Sequence, residues 1–260
     1  MQQIVVNKRE LPYDVNEAMK LLRTNLQFCG KDKKVIMITS TLADEGKSTV
    51  ALNLCRSLAQ LGSRVILLDA DMRKSVLADR YCRGDRNQPG MSHLLSARSG
   101  LEEVLLETDM ENLHMILAGR VPPNPAELLS TTRMQKLIEI CREEYDYVIV
   151  DCPPINLVVD AAIVAPLCDG IVMVVSSGNV PYRMAQSALD QLQATGCPVL
   201  GAVLNMVDQK NDKYYYRKGY YRKGYYQKYY GSYYGEYRKR LEKTHRGRRK
   251  TAEKENTEKA

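Results

Sequence analysis

Gly46, Lys47 and Ser48 follow a short apolar segment, VIMITS (Val35–Ser40), and open a helical pattern, Lys47–Leu61. In such a strand–loop–helix context, loop amides and the helix N-terminus face phosphate groups, the lysine adds positive charge, and the serine hydroxyl can ligate Mg²⁺. We therefore predict a nucleotide site formed by Thr41, Asp44, Glu45, Gly46, Lys47, Ser48 and Thr49. The alternative is a helix start that binds nothing, because Thr41 stands where the strict P-loop pattern has its first glycine.

Three acidic residues stand at the ends of two other apolar segments. Asp69 and Asp71 end the stretch LLDAD, and Asp151 follows the run Tyr147–Val150. The carboxyl ends of parallel strands meet at one edge of a sheet, so these acids should converge on the phosphate-binding loop. There they would serve as Mg²⁺ ligands, directly or through water, or as the base that receives a proton.

The elements that position these residues alternate between strand and helix patterns along the chain. Mostly apolar strands alternating with helices predict an α/β fold with a doubly wound, mostly parallel sheet of the P-loop NTPase type, in its deviant Walker form. The predicted strands are Val35–Ser40, Val65–Asp69, Leu113–Leu117, Tyr147–Val150, Ile171–Val175 and Val199–Leu204; the predicted helices are Val15–Phe28, Lys47–Leu61, Asn124–Glu144 and Pro181–Ala194.

The charge of the chain is unevenly distributed. The net charge is +7, yet the stretch from Gln209 to Ala260 alone carries 17 Lys and Arg against 6 Asp and Glu. The aliphatic periodicity stops after Asp208. We therefore predict a folded domain over residues 1–208 and a disordered basic tail over residues 209–260.

The tail contains twelve of the 17 tyrosines of the chain, and no Val, Ile, Leu, Met or Phe lies among them. They are Tyr214, Tyr215, Tyr216, Tyr220, Tyr221, Tyr225, Tyr226, Tyr229, Tyr230, Tyr233, Tyr234 and Tyr237. A segment this poor in aliphatic residues cannot build a core of its own. We expect it to stay flexible and to present its hydroxyl groups to another site.

The seven cysteines and three histidines form no pair or cluster with metal-ligand spacing. No apolar run approaches the length of a membrane span, and the first residues lack the apolar region of a signal peptide. These features predict a cytoplasmic protein with reduced thiols.

Taken in order, these motifs resemble those of the bacterial tyrosine kinases, in particular the stand-alone form of capsule and exopolysaccharide operons. The resemblance covers nearly the whole chain and is carried by EAMKLLRTNLQF, STLADEGKST, VILLDADMRKS, GRVPPNPAELLS, VIVDCPP and the tyrosine cluster.

The resemblance implies an ATP- and Mg²⁺-dependent protein-tyrosine kinase that phosphorylates its own tail in trans and regulates polysaccharide synthesis and export. It implies Lys47, Asp69, Asp71, Arg73 and Asp151 as catalytic residues, with Ser48, Asp69 and Asp151 as the Mg²⁺ ligands. Glu17, Lys20 and Arg23 match the family's oligomerisation motif and imply a ring-shaped homo-oligomer, although Lys20 replaces an arginine and loses its two-point hydrogen bonding. The alternative is a solvated helix face with ion pairs between residues three apart.

The resemblance also implies protein partners. They are a transmembrane activator of the polysaccharide co-polymerase type, which recruits the kinase to the inner face of the membrane, a cognate phosphotyrosine phosphatase, and other protein substrates. No nucleic acid is expected as a partner.

The rival hypothesis is an ATPase of the partitioning or septum-positioning type that binds membrane or nucleic acid through the basic tail. Those proteins resemble this chain in fold and P-loop. They typically carry a lysine at the second loop position, where this chain has Leu42. Lys and Arg with Gly or Ser would also suffice for such a tail, so the paired tyrosines favour the kinase.

Overall fold

The computed structural model describes residues 2–6, 11–81 and 88–207. The described strands form one eight-stranded sheet in the order β1-β4-β5-β3-β6-β2-β7-β8, in which every neighbouring pair except β4–β5 is parallel. The strands are β1 (Gln2–Ile4), β2 (Val35–Ser40), β3 (Val65–Asp69), β4 (Leu106–Thr108), β5 (Leu113–Ile116), β6 (Tyr147–Asp151), β7 (Gly170–Ser176) and β8 (Val199–Asn205). The predicted α/β fold with a mostly parallel sheet is confirmed.

The helices pack on both faces of this sheet. They are α1 (Tyr13–Phe28), α2 (Lys47–Ala59), α3 (Val76–Tyr81), α4 (Met91–Leu95), α5 (Leu101–Val104), α6 (Pro125–Leu129), α7 (Thr132–Glu144), α8 (Asp160–Val164) and α9 (Tyr182–Ala194), with a 3₁₀ turn at Ala165–Leu167. Successive side chains of a strand point to opposite faces. Val35 and Met37 of β2 therefore join one core with α7 and α9, whereas Ile36 and Ile38 join a second core with α1 and α2.

The strand order brings three carboxyl ends together. The chain runs from β2 through α2 to β3 and leaves a gap that β6 later fills. As a result Asp151 of β6 lies in register with Ile38 of β2 on one side and with Asp69 of β3 on the other. The loop after β2 thus ends beside both acids.

The structure also corrects part of the predicted secondary structure. The six predicted strands are present to within one residue at each end, but the short strands β1 and β4 were missed. The single helix predicted over Asn124–Glu144 is wrong, because the chain forms α6 and α7 with an extended residue, Thr131, between them. The hydroxyls of Ser130 and Thr131 bond to the carbonyls of Ala126 and Leu128, and such bonds compete with helix continuation.

Several predictions lie outside the described residues. These are the boundary at Asp208, the basic tail and all twelve of its tyrosines. The division into two domains therefore stays a prediction.

The packing of α2 gives a testable prediction, because this helix carries Lys47 and Ser48. Leu58 is 0% exposed in the core below α2, whereas Leu61, just past the helix end, is 57% exposed. Leu58→Ala should lower the free energy of unfolding by about 2–5 kcal/mol. Leu61→Ala is the matched control and should change it by less than about 0.5 kcal/mol. Equal losses in denaturant titrations of the two variants would contradict this account of the packing.

Candidate functional site

The loop from Thr41 to Gly46 joins β2 to α2 and bends through two residues in the left-handed region. Asp44 has φ 64° and Gly46, the N-cap of α2, has φ 84°. A side chain at Gly46 would also clash with the Asn205 side chain. Glycine is required here for both reasons, and its position directs the first amides of α2 toward the end of the sheet.

Glu45 fastens this loop to the neighbouring strands. It is 2% exposed, and its carboxylate accepts hydrogen bonds from the amides of Leu42 (2.6 Å) and Ser176 (3.0 Å). Its carbonyl accepts a hydrogen bond from Asn205 Nδ2 at 2.9 Å. Burial raises the pKa of Glu45, although the amide hydrogen bonds oppose the rise. The Glu45 side chain, which the sequence predicted to bind nucleotide, therefore fixes the shape of the loop between β2 and α2.

Lys47 lies among buried carboxylates. Its Nζ lies 2.9 Å from Asp71 Oδ2, 3.6 Å from Asp151 Oδ1 and 3.2 Å from Ser48 Oγ. Burial alone would lower the pKa of Lys47, but the charges of Asp151 and Asp71 raise it well above its usual range. Burial alone would raise the pKa of Asp71, but the charge of Lys47 and the hydrogen bond from the Lys74 amide lower it below its usual value. The lysine is therefore held charged in a buried position.

The other two acids retain oxygen atoms without hydrogen bonds. Asp69 Oδ2 accepts hydrogen bonds from Ser75 Oγ and, at 3.3 Å, from the Ala118 amide. Among the described residues, Asp69 Oδ1 and both carboxylate oxygens of Asp151 are buried with no hydrogen-bond partner. Burial and the charge of Asp151 raise the pKa of Asp69 to about 8. Burial likewise raises the pKa of Asp151, against the effect of Lys47.

These oxygens without hydrogen bonds fit a magnesium ion that also binds phosphate. Mg²⁺ prefers oxygen ligands and usually takes one or two carboxylates, with water and substrate phosphates completing its shell. Within the described residues, no group of three or more His, Cys, Asp or Glu side chains is arranged to hold a metal ion. Ser48, Asp69 and Asp151 therefore suit a shared site better than a closed protein cage, and their ligand roles stay a prediction.

A pocket of about 180 Å³ opens beside this cluster. Its lining includes Asp44, Gly46, Lys47, Ser48 and Thr49 from the predicted nucleotide site, together with Asp71, Lys74 and Met206. The predicted residues Thr41 and Glu45 do not line it in the described chain. Thr41 is 0% exposed at the start of the loop.

Arg73, predicted to be catalytic, forms a two-point ion pair with Asp160. Its Nε and Nη2 donate to the two Asp160 oxygens at 2.8 and 2.7 Å, and Asp160, the first residue of α8, is 0% exposed. Arg73 lines a separate cavity of about 420 Å³ with Asn156, Leu157 and Gln191. The structure therefore shows Arg73 joining the loop after β3 to α8, and its catalytic role stays a prediction.

The predicted oligomerisation residues lie on α1 but do not share one environment. Glu17 and Lys20 form an exposed ion pair at 2.7 Å. Arg23 instead donates from Nη1 to the Ser57 carbonyl (2.8 Å) and hydroxyl (3.1 Å) on α2. The exposed pair is available to a second copy, whereas Arg23 also anchors α1 to α2.

Sequence reasoning missed several residues that shape the site. They are Lys74, Ser75, Asp160, Ser176 and Asn205. Signals existed for three of them: Lys74 and Ser75 directly follow the D-x-D-x-R stretch, and Asn205 is a polar residue ending an apolar strand. Asp160 and Ser176 carried no signal, since only the fold brings them near.

Comparisons with known proteins agree with this geometry. A protein-family model described as an AAA domain matches residues 33–194. Tyrosine-protein kinase CpsD of Streptococcus agalactiae is 39% identical over 207 residues, which cover 80% of this chain and 90% of that protein. The kinase domain of Escherichia coli tyrosine kinase ETK superposes with a TM-score of 0.72 at 32% identity, covering 81% of this chain and 80% of that one.

A solved structure from the rival class shares the fold alone. The cell division ATPase MinD of Pyrococcus furiosus superposes with a TM-score of 0.56 at 22% identity, covering 66% of this chain and 71% of that one. At the second loop position this chain has Leu42, which is 2% exposed in an apolar cluster with Leu157, Val158 and Met184. No cation is contributed from that position.

The loop geometry yields a prediction that compares two glycines. Gly46 and Gly62 have nearly equal φ values of 84° and 85°, but a side chain at Gly62 would meet no atom within 4 Å. Gly62→Ala should cost about 1 kcal/mol of unfolding free energy from backbone strain alone. Gly46→Ala should cost more, because it also displaces Asn205 from the Glu45 carbonyl. Hydrogen exchange of residues 42–46 should accelerate in Gly46→Ala only, and equal rates in both variants would refute the close-contact argument.

Proposed function

This chain belongs to the family of bacterial tyrosine-protein kinases, and from that premise we propose that it transfers the γ-phosphoryl group of ATP to the tyrosines of its own C-terminal tail. The observation that carries the proposal is the buried Lys47 at the start of α2, 2.9 Å from Asp71 and beside the pocket. The proposal is supported by the twelve tyrosines of the C-terminal tail, because a kinase with this tail would carry its own phosphate acceptors.

Phosphate binding would change which anions the Lys47 ammonium contacts. The amides at the start of α2 and the lysine ammonium attract phosphate oxygens. Phosphate oxygens compete with Asp71 Oδ2, which lies 2.9 Å from Lys47 Nζ. The lysine then carries part of the negative charge that develops on the transferring group, and that charge stabilises the transition state.

Asp71 is our candidate for the base. It lines the pocket, and its pKa is lowered mainly by Lys47, in opposition to burial. When Lys47 shares its charge with phosphate, the Asp71 carboxylate loses part of that stabilisation and becomes a better proton acceptor. The tyrosine oxygen then forms a bond to the γ-phosphorus, the bond from that phosphorus to the β-γ bridging oxygen breaks, ADP leaves, and the phenol proton moves to Asp71.

Asp69 is the less favoured base, although its pKa of about 8 would suit the role. It is turned toward Ser75 and Ala118, and it does not line the pocket in the described chain. We propose instead that it holds Mg²⁺ together with Ser48 and Asp151. When bound, Mg²⁺ neutralises charge on the phosphate oxygens.

We propose that phosphorylation occurs in trans within an oligomer. The segment of about 30 residues from the predicted domain boundary to Tyr237 would span roughly 30 Å as a flexible chain, enough to reach a neighbouring subunit. Glu17 and Lys20 are exposed on α1 and support an interface there, which Arg23 would join. Each phosphate adds about −1.5 to −2 charges, so roughly six would cancel the excess positive charge of the tail and weaken the assembly.

The partners in this proposal follow from the same family. A membrane-spanning co-polymerase would recruit and activate the kinase in control of capsular or exopolysaccharide synthesis, and a phosphatase would reset it. In the described part of the chain, no helix combines the length and apolarity that crossing a membrane requires. Val159 and Tyr182 are 56% and 79% exposed, in segments flanking the apolar cluster of Leu42, and offer contacts to an activator.

Catalytic variants test the proposed reaction. Lys47→Met should reduce phosphotyrosine formation from Mg-ATP by at least about 100-fold, because charge stabilisation in the transition state is lost. Asp71→Asn should lose turnover in the same way while still binding Mg-ATP, because the base acts on the phenol. Lys33→Met is the control, since Lys33 pairs with Asp32 before β2, at the opposite edge of the sheet. A Lys47→Met protein with normal phosphotyrosine would overturn the proposed function.

Transfer in trans has its own test. We expect a chain with all twelve tail tyrosines changed to Phe to keep its kinase activity but to accept no phosphate on its tail. The Lys47→Met chain should accept phosphate on its tail but have no kinase activity. Mixed with Mg-ATP, the pair should yield phosphotyrosine on the Lys47→Met chain, detected by mass spectrometry of the two chains.

The same samples report on the assembly. Light scattering should show a lower oligomeric mass after phosphorylation of the wild-type chain. Phosphotyrosine confined to chains that carry both an active site and a tail would contradict transfer in trans, and an unchanged mass would contradict the charge-driven dissociation.

A further inference from the structure

The phosphate pocket contains two lysines that stand in different electrostatic situations. Of the residues that line it in the described chain, only Lys47 and Lys74 are basic. The Lys47 side chain is 8% exposed and lies against two carboxylates, Asp71 and Asp151, whose side chains are 3% and 1% exposed. Its charge is therefore already strongly compensated within the protein.

Lys74 also lines this pocket. Its Nζ lies 3.8 Å from Asp44 Oδ1 on the phosphate-binding loop. Solvent reaches the Asp44 side chain, which is 73% exposed, whereas the Lys74 side chain is only 17% exposed. A more highly charged anion would therefore compete with Asp44 for the Lys74 ammonium.

The backbone of Lys74 is held by the same acids that form the site. Its amide donates to Asp71 Oδ1 at 2.9 Å, and the next residue, Ser75, donates from its hydroxyl to Asp69. The Ser75 hydroxyl in turn accepts a hydrogen bond from the Ala78 amide in α3 at 2.7 Å. Lys74 is therefore a long side chain on a fixed segment of backbone, and it lines the pocket.

Within the described residues, two other positions near the pocket do not supply a second cation. Arg73 is bound at two points by the buried Asp160, and Leu42 is apolar and buried. A nucleoside triphosphate brings about four negative charges to a pocket that already contains Asp44 and Asp71. Lys47 and the proposed Mg²⁺ together carry about three positive charges, fewer than the nucleotide and the two carboxylates bring.

We propose that Lys74 is a second phosphate-binding cation of this kinase, which exchanges Asp44 for the terminal phosphate of ATP. The inference rests on the proposed function and adds a residue to it. Lys74 would favour ATP over ADP, because ADP lacks the phosphate that Lys74 contacts. Asp44 would act as a competing anion that lowers the affinity for ATP and eases release of the product.

Calorimetric titration of Mg-ATP and Mg-ADP tests this without relying on turnover. A lost charge-assisted contact corresponds to about tenfold in affinity. Lys74→Met should therefore weaken ATP binding about tenfold and ADP binding less than about twofold. Lys74→Arg should restore most of the ATP affinity, and Asp44→Asn should tighten ATP binding several-fold.

Lys33→Met is the matched control, because Lys33 has a 27% exposed side chain in an ion pair outside the pocket. It should bind both nucleotides as the wild type does. Unchanged ATP binding in Lys74→Met, or equal losses for ATP and ADP, would overturn the role of Lys74, and unchanged binding in Asp44→Asn would overturn the exchange. A wild-type chain that binds neither nucleotide would refute the proposed function instead. The Lys74→Arg variant separates loss of charge from loss of folding.

Discussion

The site depends on the burial of Lys47 among three aspartates. An isolated buried charge is very costly, and burial is tolerated only when opposite charges and hydrogen bonds compensate it. Lys47 compensates Asp71 and Asp151, but it cannot satisfy every oxygen, and within the described residues both Asp151 oxygens accept no hydrogen bond. This imbalance supports the proposal that the cluster binds phosphate together with a divalent cation. A cluster that served stability alone would have no use for the unsatisfied oxygens.

The sheet makes this cluster possible. Because β6 is inserted between β2 and β3, Asp151 stands in register with Asp69, and the loop after β2 ends beside both. The strands behind the cluster are buried on both faces, so their ends have little freedom to separate. The register of the strands, set by alternating side chains that fill two cores, therefore sets the distances at the site.

The loops around the cluster are held by a second set of contacts. Glu45 ties the phosphate-binding loop to Ser176 at the end of β7, and Asn205 ties it to the end of β8. Ser75 and Asp160 hold the loop after β3 through Asp69 and Arg73. These contacts hold the loop backbone in place, which would reduce the ordering cost of binding the proposed nucleotide.

The sequence by itself determined the fold class, the positions of the six main strands, and the identity of Lys47, Asp69, Asp71 and Asp151 as a converging set. It could do so because apolar runs ending in acids, and a Gly-Lys-Ser triplet before a helix, are local patterns that follow from the geometry of parallel sheets. Only the tertiary structure decided how Glu45, Arg73 and Lys74 are used, since their partners lie as far away as Ser176, Asp160 and Asp44. The structure also divides the helix predicted over Asn124–Glu144 into two helices, because the hydroxyls of Ser130 and Thr131 bond to backbone carbonyls there. Spacing along the chain identifies which residues reach the edge of the sheet, but the partner that each one meets there depends on contacts between distant segments, which the local pattern does not encode.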